Sequence, residues 1–110
     1  MYVPTPGEPG FITSVRVRNE NENRTIELGL INCDEGLPAL WLWHSNADTL
    51  VSEIIYESNG ITREAHTDLL ERVEGLNASG DVEAKREFVI DFILDNPEID
   101  DEYAHDFLSA

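Results

Sequence analysis

Residues 45–60 read SNADTLVSEIIYESNG, and their folding decides where sheet gives way to helix in this chain. Ser45 and Asp48 stand at capping-box spacing, so the segment opens like a helix. Leu50, Val51, Ile54 and Ile55 then recur at three- and four-residue intervals and fall on one helical face. Asn59-Gly60 supplies a stop. The spacing predicts a helix here, the first of several.

Upstream the period is two. In FITSVRVR, residues 11–18, Phe11, Thr13, Val15 and Val17 share one face, while Ser14, Arg16 and Arg18 share the other. NENEN, residues 19–23, reads as a turn. RTIELGLI, residues 24–31, alternates again with Ile26, Leu28 and Leu30 together, completing an antiparallel hairpin. ALWLWHS, residues 39–45, offers a third strand with Trp41 and Trp43 on one face and Leu40 and Leu42 on the other.

Downstream the period is that of helices. Thr62 caps a helix with Leu69, Leu70, Val73 and Leu76 inward. Asp81 caps the next, with Val82, Val89, Phe92 and Ile93 inward. Pro97 ends that helix and suits the first turn of another, on which Ile99, Tyr103 and Phe107 fall at four-residue spacing. The expected fold is α+β: a small N-terminal antiparallel sheet of two to three strands, followed by three to four helices packed on it. Residues 1–10, rich in Pro and Gly, form an extended arm, and residues 11–110 form one acidic domain.

Charge is the outlying property. Against 23 acids stand 7 bases, for a formal charge of −16 and a pI near 4.2. Binding phosphates needs Lys and Arg to release counterions, so free nucleic acid and anionic membranes are poor partners. A basic protein is the natural partner, through steered encounter. The single Cys33, with no basic or apolar leader in the first residues, makes the cytoplasm the expected compartment.

The chemistry-bearing residues form no reactive constellation. His44, His66 and His105 lie on separate elements, and no CxxC or HxxxH pair is present. The run DNPEIDDEYAHD, residues 95–106, lacks the glycine of a calcium loop and carries one Glu-x-x-His, where a di-iron bundle needs two. No metal, no cofactor and no catalytic residue is expected. LVSEIIYESNGITREAHTDLLERV, residues 50–73, resembles a helix-turn-helix around Asn59-Gly60-Ile61. It departs from that pattern at Tyr56 and His66, and Arg63 and Arg72 are outnumbered by Glu64, Asp68, Glu71 and Glu74, so a plain helix hairpin is the expected reading.

The most informative feature is an acidic stripe. Glu83, Glu87, Asp91 and Asp95 follow one another at i, i+4, opposite Val82, Val89 and Ile93. Exposed faces ordinarily mix charges, and each like pair at this spacing destabilises a helix by roughly 0.2–0.5 kcal/mol. Asp81–Lys85 and Glu83–Arg86 pairs would offset part of that. Past Pro97 the acids continue with Glu98, Asp100, Asp101, Glu102 and Asp106, and Tyr103 sits among them as a candidate aromatic anchor. Residues 1–55 carry 8 acids and 3 bases, a net −5, while residues 56–110 carry 15 and 4, a net −11.

These ten residues form the expected partner-binding face of a non-enzymatic inhibitor that occupies a basic, nucleic-acid-binding surface of another protein. In size and charge the chain is similar to small phage-encoded anti-CRISPR or anti-restriction DNA mimics, a likeness of composition alone. An immunity protein neutralising a toxin nuclease, or a halophilic structural domain, are the alternative expectations.

Overall fold

The computed structural model describes residues 7–19, 24–32, 36–46, 51–58 and 60–99, excepting the side chains of residues 19, 51 and 52. Four strands come first: β1 (Phe11–Asn19), β2 (Arg24–Asn32), β3 (Pro38–Asn46) and β4 (Val51–Ser58). Two helices follow, α1 (Arg63–Ser79) and α2 (Val82–Asp95). The strands form one antiparallel meander in chain order, and both helices lie on one of its faces.

Period two in β1–β3 dictates the two faces of the sheet. Val15 pairs with Leu28 and Val17 with Ile26, and Leu28 in turn pairs with Leu42. These residues are buried under Val73 of α1 and Phe88, Val89 and Ile93 of α2. Each such fully buried side chain contributes roughly 1.5–3 kcal/mol. His66 of α1 is also buried, and its Nε2 lies 3.2 Å from the Ala39 carbonyl oxygen, to which it donates; this bond ties the first turns of α1 to β3.

The other face carries a smaller apolar cluster of Ile31, Ala39 and Trp41, flanked by Phe11, Trp43 and Ile54. Trp41 meets Trp43 edge-on at 5.3 Å between ring centroids. Phe11 was expected beside Val15 and Val17. A bulge between Phe11 and Thr13 turns it over instead, to 6.3 Å from Trp41. Glu27 on this face is matched: it accepts from Ser14 at 2.6 Å and from Arg16 Nη2 at 3.2 Å.

The fold class needs correction. The described residues hold four strands and two helices, in place of the expected two to three strands and three to four helices. Most of the difference lies in residues 45–60. Ser45 belongs to β3, and residues 51–58 are the edge strand β4, pairing with β3 from Leu40↔Ser58 to Asn46↔Val51. An apolar cluster on each face of the sheet explains the pattern that resembled a helix. Ile55 packs on the helix-covered face and Ile54 on the tryptophan face, so neighbouring positions are both apolar. A bulge between Leu42 and Trp43 adds the irregular step. With β4 in place of its first helix, the helix-turn-helix resemblance falls too.

The α1 and α2 expectations stand, with one change of face. Thr62 Oγ1 accepts from Ala65 N at 3.1 Å, and Asp81 Oδ1 accepts from Ala84 N at 3.1 Å. Gly80 at φ 68° closes α1 in the left-handed conformation that glycine adopts at no steric cost. Val82, expected inward, is 62% exposed, and Phe88 takes the buried place. After α2, residues 97–98 form a turn and Ile99 is buried; the further helix expected beyond it lies outside the described residues.

Candidate acidic interface

The acidic stripe is built by α2. Its buried side, Val89 and Ile93 with Phe88, is held on the sheet, so the opposite side must face solvent. Glu83, Glu87, Asp91 and Asp95 are all exposed there, one per turn. Adjacent members are spaced by about 6 Å along the axis at four residues per step. The structure thus brings these four of the ten expected residues together as one ridge on a packed helix.

Glu98 is exposed in the turn after α2, where its Oε1 accepts from the Tyr56 hydroxyl at 3.1 Å. Tyr56 also packs edge-on against Phe92 with ring centroids 6.0 Å apart. Partial burial, then the hydrogen bond to Glu98 and its negative charge, hold the Tyr56 phenol above its usual pKa, partly offset by Ser58. This contact ties β4 to the end of the ridge. Asp100, Asp101, Glu102, Tyr103 and Asp106 lie outside the described residues.

The ridge is unneutralised. Among the described residues, none of Glu83, Glu87, Asp91 and Asp95 forms an ion pair, whereas Glu27 on the sheet does. The expected intrahelical pairs do not form: Asp81 is engaged in capping, and Arg86 donates to the Arg18 carbonyl oxygen at 3.2 Å. Arg72, projecting from α1, holds its guanidinium carbon 4.9 Å from the centroid of the Phe88 ring and leaves Asp91 unpaired.

Two features of this face escaped the sequence reading. Leu94 is 61% exposed, one turn from Asp91 on the side of the helix that carries the acids. Its place on a wheel at about 100° per residue lies between Glu83 and Glu87, so helical spacing alone sets it among the acids. The second feature is a groove between α1 and α2, bordered by Glu87, Asp91 and Asp95. Which face of α1 confronts α2 depends on the turn at Gly80 and on the sheet beneath, and no periodicity reports it.

Among the described residues no three His, Cys, Asp or Glu side chains are grouped to hold a metal ion. Nor is any described helix long and apolar enough to cross a membrane. The chain matches no protein-family model, no curated protein and no solved structure. A functional reading therefore rests on the geometry of this face.

Proposed function

We propose that this is a non-enzymatic binding protein whose anionic helical ridge occupies a basic, nucleic-acid-binding surface of a partner protein, in the manner of a phage-type DNA-mimic inhibitor. The observation that carries the reading is the ridge itself: Glu83, Glu87, Asp91 and Asp95, exposed, aligned and unpaired among the described residues. Solubility requires neither alignment nor the exposed Leu94 on the same side of the helix.

Competition is the mechanism. The ridge carboxylates engage Arg and Lys side chains that otherwise hold phosphates, through charge-assisted hydrogen bonds. At about 6 Å per charge α2 is sparser than one B-DNA strand, with its charge every ~3.4 Å. The ridge therefore satisfies basic side chains singly, without copying phosphate register. Asp100, Asp101, Glu102, Tyr103 and Asp106 are proposed to extend the same surface.

The test is capture of host proteins on the immobilised chain at low and high salt, with the Asp91→Lys/Asp95→Lys double variant alongside. A basic nucleic-acid-binding protein, retained at low salt, released at high salt and lost with the double variant, is expected. Equal retention by wild type and variant would exclude the ridge.

A further inference from the structure

Gly75 lies inside α1, where glycine is disfavoured. Neither common reason for a helical glycine applies: its backbone is helical, and a Cβ built there meets nothing within 4 Å. What its missing side chain does is leave open the groove between the helices. Beside Gly75 a hollow of about 370 Å³ runs over Leu76 and Phe88 to Glu87 and Asp91. It continues as a hollow of about 380 Å³ along Leu69 and Phe92 to Asp95. Leu69, Leu76, Phe88 and Phe92 supply the apolar part of a lining that is otherwise polar, with Glu87, Asp91 and Asp95 at one border. The cation within it, Arg72, is placed over the Phe88 ring.

We propose that this groove receives one apolar side chain carried on a basic segment of the partner protein, a proposal that rests on the acidic-face reading above. Charge complementarity selects the occupant. Glu87, Asp91 and Asp95 lie along the border without ion pairs among the described residues, so Lys or Arg flanking the inserted side chain find carboxylates within reach. The open space at Gly75 and the apolar side chains of Leu69, Leu76, Phe88 and Phe92 accept an aliphatic anchor between those cations. A purely cationic segment would leave the groove unfilled.

Two fluorescently labelled peptides test this by anisotropy: a short Lys/Arg peptide with a central Leu, and the same peptide with Ala at the centre. The wild-type chain is expected to bind the Leu peptide about tenfold more tightly, as burial of the larger side chain implies. Gly75→Leu fills the groove, keeps every charge and suits a helix better than glycine. It should abolish the preference for the Leu peptide over the Ala peptide. Asp91→Lys/Asp95→Lys should weaken both peptides. Equal wild-type affinities, or a preference that survives Gly75→Leu, overturn the groove while sparing the acidic face. Two peptides insensitive to the double charge reversal overturn the acidic face itself. Should Gly75→Leu fail to fold, nuclear Overhauser contacts between the peptide's Leu and Phe88 or Leu69 decide, and their absence counts against the groove.

Discussion

Gly29 has no room for a methyl group. It pairs with Trp41 across β2 and β3, and a Cβ there would collide with the indole ring, which lies across the glycine backbone. The residue is thus required by a neighbour, unlike Gly75, which nothing crowds. Gly29→Ala must displace a fully buried Trp41, and over-packing of this kind typically destabilises by about 1–3 kcal/mol. Chemical denaturation followed by tryptophan fluorescence should show that loss together with an altered native spectrum; an unchanged midpoint would refute the close fit. Tyr56 makes a different prediction. Its phenol is held above the usual value because the neutral form is favoured by burial and by Glu98. The resulting stabilisation is complete below the ordinary phenol range, near about 10, and is lost as pH rises through the raised value. Absorbance titration at alkaline pH should find one tyrosine ionising late, and Tyr56→Phe should remove that step. The same substitution, by removing the hydrogen bond to Glu98, should lower stability by about 0.5–1.5 kcal/mol at neutral pH.

At the scale of elements, α2 was legible in sequence because its signals agree. Asp81 caps it, Val89 and Ile93 keep its buried side, and the acids keep the other. β4 was not legible because its apolar neighbours Ile54 and Ile55 serve opposite faces of a sheet that carries an apolar cluster on each. A doublet of this kind is shared by amphipathic helices, and only pairing with β3 resolves it. The four acids of the ridge followed directly from four-residue spacing, and Leu94 falls among them on the same wheel, whereas the groove needed the packing of α2 against its neighbours. The ridge also opposes the stability of its own helix. Three like-charge steps join its four acids, and Asp95 stands in the last turn, where the helix dipole disfavours negative charge and no basic residue compensates. Asp95→Lys should therefore raise the stability of the free protein, by roughly 0.5–1 kcal/mol, while weakening partner capture. Thermal melts and pull-downs on the same variant read both effects. Lower stability in Asp95→Lys would mean that Asp95 serves the fold, and would count against assigning it to a partner.

The molecule as a whole separates its charge from its paired surface. On the outer face of the sheet Glu27 is matched by Arg16, but the α2 ridge has no such match among the described residues. A chain at −16 repels itself, and screening relieves that repulsion over the distances that separate exposed charges. The Debye length falls from about 30 Å at 0.01 M salt to about 8 Å at 0.15 M, already close to the spacing of neighbouring ridge carboxylates. Most of the relief should thus be gained by physiological ionic strength, with little more at molar salt. The melting temperature is expected to climb between 0.01 and 0.15 M and then flatten, the values being those that set the Debye lengths above. Partner affinity should move the opposite way across the same interval, because the screening that steadies the free protein weakens its attraction to a basic surface. A halophilic domain behaves otherwise: its folding continues to gain from salt well beyond the screening range. Melting curves through molar sodium chloride distinguish the two, and a chain folded only at molar salt would replace the inhibitor reading with a halophilic one.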